Sequence, residues 1–194
     1  LRTPLTRLRL GLSMMDGEEA VLLQRDVDDM QRLVDEFLDF AKGASEGEPE
    51  KADPQVLLAE IVADAKRSGK DAAIVQSEGT GTVLLRPMAI RRAIENLIGN
   101  AVRYGTKAEL SVVLTDKSLR FQVEDDGPGI PPEQRDNAIK PFSRLDPSRN
   151  QDKGSGVGLG LAIAADIARA HGGVLRLDQS DRLGGLRADI VISR

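Results

Sequence analysis

Apolar residues in the first forty or so positions recur at alternating intervals of four and three. This spacing puts them on one stripe of a helix that packs against other helices. The stripe is interrupted once, by polar residues at 16–18. The sequence therefore predicts a hairpin of two helices. Its first arm carries Leu1, Leu5, Leu8, Leu12 and Met15, and its second arm carries Leu23, Val27, Met30, Val34, Phe37 and Ala41.

A hairpin of two helices buries little of such a stripe by itself. We expect it to pair with a second copy, forming a dimeric four-helix bundle. The alternative is that the stripe packs on the rest of the same chain. Heptad spacing on both arms favours burial between helices.

A polar segment, KGASEGEPEKAD, follows the hairpin and is rich in Gly and Glu. Such a composition predicts a flexible linker. We therefore divide the chain into a hairpin at 1–43, a linker at 44–53 and a second domain at 54–194. Asp53 and Pro54 are expected to cap and open the first helix of that domain.

The second domain alternates helical and strand patterns. Helices are predicted from Pro54, at about 87–104 and at about 157–170, and strands near 72–76, 82–85, 108–114, 119–124, 174–178 and 186–192. A loop at about 130–153 is longer than most connections in compact domains, so we expect a lid. The overall class is α+β, with the second domain an α/β two-layer sandwich.

Charge and composition exclude several classes of function. The net charge is −4 with acidic and basic residues interspersed, so no broad basic surface for nucleic acid is expected. The chain has no cysteine, which suits a reducing cytoplasm. No stretch approaches the roughly 20 apolar residues of a membrane span.

The segment NLIGNAVRYG places two amides and a guanidinium on one helical face, because Asn96, Asn100 and Arg103 follow at i, i+4 and i+7. Amide oxygens suit Mg²⁺ that bridges phosphates, and arginine pairs with phosphate charge. Taken alone, this face is more often an ordinary solvated one.

The segment EDDGPGI follows a predicted strand. The Asp125 carboxylate at the strand end can accept a hydrogen bond from an exocyclic amine, and Gly127 and Gly129 allow backbone to approach a flat base. By itself the motif is more often only a turn.

The segment GSGVGLGLAIA opens a helix, where free backbone amides attract phosphate. It lacks the Gly-Lys-Ser/Thr of a P-loop and has no strand directly before it, as a dinucleotide fingerprint requires. A glycine-rich linker is the alternative, although the apolar helix that follows at once indicates an ordered junction.

Together these segments resemble a known family. NLIGNAVRYG, EDDGPGI, KPFSR and GSGVGLGLAIA, in that order, are similar to the N, G1, F and G2 boxes of the histidine-kinase catalytic domain, which has the Bergerat ATP-binding fold. The opening LRTPLTRLRL resembles the segment that follows the acceptor histidine in the dimerisation domain. The resemblance covers nearly the whole chain.

The resemblance implies a site for ATP and Mg²⁺. It assigns Asn100 to Mg²⁺, Asn96 and Arg103 to the phosphates, Tyr104 to the flank of the adenine and Asp125 to its amino group. It assigns Phe142 to the lid, Arg144 or Arg149 to the γ-phosphate, and Thr3 to a water used in dephosphorylation. The remaining implied contacts are Gly127, Gly129 and Ile130 at the base and Gly154, Ser155, Gly156, Val157, Gly158, Leu159, Gly160 and Leu161 near the phosphates.

The family also implies a role in two-component signalling. A sensor histidine kinase passes the γ-phosphoryl group to a histidine and then to an aspartate of a response-regulator receiver domain, as a homodimer whose parent is anchored in the bacterial inner membrane. The family pattern places the acceptor histidine and an acidic residue just before Leu1, and neither is in this sequence. We therefore expect no autophosphorylation at the usual position. The hairpin is also about one turn shorter between Met15 and Arg25 than in the family member it most resembles.

His171 is the only histidine. It precedes Gly172 and Gly173 at a predicted helix C-terminus, where a hydrogen-bonding or cationic side chain is favourable, so we expect a structural role.

Two rival functions stay open. A Bergerat-fold ATPase of the gyrase or chaperone type would hydrolyse ATP, but such enzymes place a water-activating glutamate where Asn96 stands. A degenerate module that senses nucleotide, or only dimerises and docks a regulator, would not need the complete set of boxes.

Overall fold

A computed structural model describes residues 2–14, 17–41, 47–143 and 158–194. The first two helices are α1 (Arg2–Leu12) and α2 (Glu18–Ala41), and they pack against each other. The predicted helical hairpin is thus confirmed. Of the candidate site residues, Arg144, Arg149, Gly154, Ser155, Gly156 and Val157 lie outside the described residues, as do Leu1 and Met15 of the apolar stripe.

Much of the apolar surface of this hairpin is uncovered. Val27 and Ala20 are buried, whereas Leu8, Leu22 and Phe37 are each more than half exposed. A pair of helices covers only part of its stripe, which is the reason we predicted a second copy.

The second domain is built on a five-stranded sheet. Its strands are β2 (Ala72–Glu78), β4 (Ala108–Leu114), β5 (Ser118–Asp125), β6 (Gly173–Gln179) and β7 (Leu186–Ser193), in the order β2-β4-β5-β7-β6. Only the β2–β4 pair is parallel. The helices α3 (Pro54–Arg67), α4 (Pro87–Tyr104) and α6 (Gly160–Ala170) contact the sheet and one another, so the two-layer sandwich is confirmed.

The core lies between these helices and the sheet. From Ser118 to Val123 on β5 every second side chain is buried, and these are Leu119, Phe121 and Val123. The strand therefore presents one face to the helices, as period-two alternation requires. On α4 the residues Ile90, Ile94 and Ile98 repeat at four-residue spacing and are fully buried.

The start of α3 follows the predicted cap. Asp53 Oδ1 accepts hydrogen bonds from the backbone N–H of Gln55 at 2.8 Å and of Val56 at 3.4 Å, and Pro54 occupies the first turn. Just before it, β1 (Glu50–Ala52) pairs antiparallel with β3 (Val83–Leu85). Residues 50–52, which we predicted to be linker, therefore form a strand; the domain boundaries themselves stay a prediction.

The predicted lid loop also contains regular structure. A 3₁₀ turn, Pro132–Gln134, leads into the short helix α5 (Arg135–Ala138). The prediction of a loop from about residue 130 was wrong for this part. These short helical turns bury only Ala138, so they leave no periodic apolar pattern in the sequence.

Within the described ranges, no helix has the length and apolarity needed to cross a bilayer.

His171 caps the end of α6, as predicted. Its Nδ1 lies 2.7 Å from the carbonyl oxygen of Ile167, and its Nε2 accepts from the backbone N–H of Arg86 at 3.1 Å. The imidazole therefore joins the end of α6 to the residue that precedes α4, a contact that sequence position alone could not predict.

Replacing His171 by alanine should lower the free energy of unfolding by about 1–3 kcal/mol, because the Arg86 N–H loses its acceptor in a partly buried place. Urea unfolding measures this. Arg169→Ala is the control, since its ion pair with Asp166 is exposed and should change stability by less than about 0.5 kcal/mol. Equal effects of the two variants would contradict the linking role.

Candidate functional site

The amide face of α4 lies against the start of α6. Leu97, Ile98 and Ala101 turn into the core, while Asn96 and Asn100 stay partly exposed on the other side. A Cβ placed on Gly160 would lie 3.3 Å from Asn96 Oδ1 and 3.3 Å from Asn100 Nδ2. Asn96 Nδ2 donates to the carbonyl oxygen of Arg92 at 2.8 Å, which fixes the orientation of the amide. The absence of a side chain at Gly160 thus lets the helix N-terminus approach both amides.

Phe142 and Gly158, described residues on the two sides of 144–157, lie side by side next to this helix start. Phe142 N donates to the carbonyl oxygen of Gly158 at 3.1 Å. Gly158 has φ +76°, and a Cβ there would lie 3.1 Å from the carbonyl carbon of Phe142. Phe142 is 56% exposed with φ +63°, and Leu159 is buried. The described residues on the two sides of 144–157 therefore meet at one place, beside Gly160.

Asp125 ends β5 and is 6% exposed. Its Oδ1 accepts hydrogen bonds from the backbone N–H of Gly127 and of Leu186, each at 2.9 Å. Desolvation by burial raises the pKa of Asp125, although the two hydrogen bonds oppose the rise. Both bonds use the same oxygen, so Oδ2 is the atom with capacity to accept from a ligand.

The turn after Asp125 lies against the end of α4. A Cβ on Gly127 would be 3.1 Å from the carbonyl carbon and oxygen of Tyr104, a tight contact that the absence of a side chain avoids. Tyr104 is 41% exposed and stands one turn beyond Asn100. In the same turn Gly129 has φ +69°, which favours glycine, and Ile130 is half-buried.

Asp126 ties this turn to the loop after α4. Its carboxylate accepts from the backbone N–H of Thr106 at 2.7 Å, from the Thr106 hydroxyl, and from the N–H of Lys107 at 3.3 Å. These bonds, the Thr106 hydroxyl first, lower the pKa of Asp126 to about 2.

Because the folded-state pKa of Asp126 lies below its ordinary value of 3.8, ionised Asp126 stabilises the fold above about pH 4 and this contribution is lost as the pH falls toward 2. Asp126→Asn should therefore flatten the fall in unfolding free energy between pH 4 and pH 2, measured by urea unfolding. Asp116→Asn, in the β4–β5 turn, is the control and should keep the slope of the parent. An unchanged slope for Asp126→Asn would contradict this role.

The described candidate residues form two groups along α4. Asn96 and Asn100 lie in the middle and C-terminal half of α4 beside Gly160, and Asp125 and Gly127 lie against the backbone of Tyr104 at the C-terminal end of the helix. Arg103 is half-buried between them, and Leu161 packs on the core beside Gly160. Thr3 lies in α1, in the hairpin. The nucleotide and phosphatase roles of these residues stay predictions.

The profile of the family described as "Histidine kinase-, DNA gyrase B-, and HSP90-like ATPase" matches residues 86–193, which is more than half of the chain. The chain belongs to this ATPase family. The matched range begins just before α4 and ends in β7, so it contains every described element of the candidate site in the second domain.

Relatives place the chain within the sensor-kinase branch of this ATPase family. Sensor protein RstB of Escherichia coli is 38% identical over 96% of this chain, and sensor histidine kinase GtrS of Pseudomonas aeruginosa is 36% identical over all of it. Among solved structures, the histidine kinase domain of the E. coli osmosensor EnvZ is 38% identical with a TM-score of 0.58, covering 77% of this chain and 91% of that one. The chain spans 45% of RstB and 40% of GtrS. It is thus a histidine kinase-type ATPase domain of a sensor kinase, preceded by a helical hairpin.

Sequence reasoning missed the turn between β6 and β7. Gly185 is buried, and its N–H donates to the carbonyl oxygen of Asp125 at 3.1 Å, next to the bond from Leu186. The signal was the pair Gly184 and Gly185 directly before a strand, which marks either a turn or a close backbone approach. Only the structure shows which partner the backbone approaches.

Proposed function

We propose that this chain binds Mg·ATP along α4 and that the intact protein transfers its γ-phosphoryl group to a histidine and then to an aspartate of a response-regulator receiver domain. The observation that carries the proposal is the arrangement along α4, with the asparagine pair beside the N-terminus of α6 and a buried carboxylate beside the C-terminal end of α4. Membership of the ATPase family supports it, as does a solved relative described as the ATP binding domain of PrrB from Mycobacterium tuberculosis, 29% identical with a TM-score of 0.62.

At the base end, Asp125 Oδ2 accepts a hydrogen bond from the exocyclic amine of adenine. The backbone of Gly127 and Gly129 lines the flat face of the base, and Tyr104 flanks it. Burial strengthens this recognition, because a desolvated carboxylate that lacks a donor is costly. Ile130, which follows the turn, adds an apolar contact.

At the phosphate end, Asn96, Asn100 and Arg103 face the triphosphate together with the N-terminus of α6. Asn100 Oδ1 would hold Mg²⁺, which would supply positive charge against the phosphates. Among the described residues no group of three His, Cys, Asp or Glu side chains is placed to hold a metal, so the ion depends on the amide and on the nucleotide itself. We assign Gly154, Ser155, Gly156, Val157 and Gly158 to contacts with the phosphates, Leu159 and Leu161 to anchoring this loop, and Arg144 or Arg149 to the charge of the γ-phosphoryl group.

The hairpin supplies the second half of the proposed function. Two copies bury the exposed side chains of α1 and α2 in a four-helix bundle, and the bundle presents the acceptor histidine to the nucleotide. Thr3, on α1, orients a water that removes phosphate from the regulator. The parent protein is anchored in the inner membrane ahead of this hairpin.

Two rivals make different predictions. An ATPase of the gyrase type needs a general base, and the Asn96 amide is neutral with its Nδ2 already bonded to Arg92. A pure docking module would bind the regulator and ignore nucleotide.

The test mixes this chain with a separate dimerisation domain that carries the acceptor histidine, adds labelled ATP and Mg²⁺, and follows phosphohistidine. We expect label on the added domain and none on this chain. Asn100→Ala should lower the rate by at least about a hundredfold, because the metal and the phosphates lose their positioning. Steady phosphate release without the added domain would favour the gyrase-type rival, and calorimetry that detects regulator but no ATP would favour the docking module.

A further inference from the structure

The turn between β6 and β7, residues 180–185, forms one wall of the Asp125 environment. Both Gly185 and Leu186 donate backbone N–H groups to Asp125, the first to its carbonyl oxygen and the second to Oδ1. The orientation of the Asp125 carboxylate therefore depends on where this turn sits. A group that fixes the turn acts on the carboxylate without touching a ligand.

Ser180 fixes one end of the turn. It is 1% exposed, its Oγ donates to Glu124 Oε1 at 2.7 Å, and the same Oγ accepts from the N–H of Leu183 at 3.0 Å. The backbone closes the turn as well, with Ser180 N bonded to the carbonyl oxygen of Gly185 at 2.8 Å. Glu124 is thus the strand residue to which the turn is attached.

Arg182 makes the second attachment. Its Nη2 lies 3.1 Å from Glu124 Oε2, and its Nη1 pairs with Glu109 Oε2. Glu109 on β4 and Glu124 on β5 are directly opposite in the sheet register, and their side chains are only 14% and 10% exposed. Like charges directly opposite each other destabilise a sheet, so a bridging cation is needed. Lys107 supports the pair with a bond to Glu109 Oε1 at 3.0 Å.

The position of this bridge links it to Asp125. Glu124 precedes Asp125 on β5, and neighbouring residues of a strand point to opposite faces of the sheet. Arg182 therefore holds the turn from the face opposite the Asp125 carboxylate, one residue away. Its own side chain is 48% exposed, and its guanidinium is held by carboxylates, which also raise its pKa, Glu124 first. Both terminal nitrogens of Arg182 are thus paired with carboxylates of the sheet.

We propose that Arg182 is a positioning residue for base recognition: by bridging Glu109 and Glu124 it holds the 180–185 turn so that Leu186 N–H orients the Asp125 carboxylate toward the adenine amine. The inference rests on the proposed role of Asp125. It predicts a defect at the base, since the turn is bonded to Asp125 and Glu124 rather than to the asparagine pair.

The experiment measures the affinity of this chain for ATP and for GTP by calorimetry with Mg²⁺. Arg182→Ala should weaken ATP binding about tenfold, because a small displacement of a recognising group is costly, and should change GTP binding by less than about twofold. Arg182→Lys should lose about threefold for ATP, since a single ammonium cannot bridge two carboxylates as the guanidinium fork does. The control is Arg176→Ala, an exposed arginine of β6, which should bind both nucleotides like the parent.

Unchanged ATP affinity in Arg182→Ala, or equal loss for ATP and GTP, would overturn the inference. If Arg182→Ala fails to fold, Arg182→Lys carries the same test. A parent that binds neither nucleotide, or an Asp125→Asn variant that binds ATP like the parent, would overturn the proposed function itself. The two failures are therefore distinguishable.

Discussion

Asp125→Asn should weaken ATP binding by about a hundredfold while leaving the fold intact. The amide oxygen of asparagine can still accept from Gly127 and Leu186, as Oδ1 does now. The amide nitrogen then stands where Oδ2 stood, so a donor faces the donor of the adenine amine. Loss of a hydrogen bond to a charged group, with a polar atom left unpaired, amounts to about 1.5–3 kcal/mol, which is about ten- to a hundredfold in affinity.

The free energy of unfolding of Asp125→Asn distinguishes a loss of base recognition from a loss of the fold. The pKa of Asp125 is raised by burial, so the ionised carboxylate opposes folding: its unfavourable contribution grows as the pH rises through the ordinary value and is complete above the raised folded-state pKa. A neutral asparagine removes that contribution, and the variant should unfold at pH 7 no more easily than the parent. Asp116→Asn, at the opposite end of the β4–β5 hairpin, is the control for affinity. A variant at Asp125 that binds ATP as tightly as the parent would show that the base is recognised elsewhere.

The sequence predicted the elements of the fold well because each is a local pattern. The four-residue spacing of Ile90, Ile94 and Ile98 defines one buried face of α4, and the alternation of Leu119, Phe121 and Val123 defines one face of β5. The short strand β1 has no such pattern. Its three residues, Glu50–Ala52, are exposed or partly exposed, and they form a strand only because β3 offers a partner more than thirty residues later.

The candidate site was predictable only in part, for a related reason. Asn96, Asn100 and Asp125 are recognisable because the segments that contain them occur in the order of the boxes of a known family. The contacts that hold them come from distant positions, such as Leu186 N–H on Asp125 Oδ1. A backbone N–H donor is present in nearly every residue type, so the sequence does not show which donors reach Asp125. The contact between the 180–185 turn and Asp125 could therefore not be predicted.

Gly160 and Gly185 also make contacts whose partners could not be predicted from the sequence. Both glycines stand where an added Cβ would meet a candidate site residue, Asn96 and Asn100 for the first and Asp125 for the second. In the sequence one belongs to a glycine-rich motif and the other to a plain Gly-Gly pair. In both cases glycine allows the backbone to approach another part of the domain closely. Only the structure shows which part that is.

Gly185→Ala should damage both the stability of the second domain and its binding of ATP. Its Cβ would overlap the carbonyl oxygen and Oδ1 of Asp125 and lie 2.6 Å from Gly127 N, so the backbone of β5 or of the turn must move. We expect the free energy of unfolding to fall by about 3 kcal/mol, because an added methyl group overpacks a well-packed region. ATP binding should fall below detection, because Asp125 is displaced.

The neighbouring glycine is the matched control for that change. Gly184 has φ +84° with open space around its Cβ position, so Gly184→Ala costs only the backbone strain of a left-handed residue, about 1 kcal/mol. It should bind ATP nearly as the parent does. Urea unfolding measures the stability of the two variants, and calorimetry measures their affinity for ATP. Together they distinguish backbone strain in the turn from displacement of Asp125. If both lose the same stability and both retain ATP binding, the turn is not a wall of the nucleotide site, because a displaced Asp125 could not still recognise the base.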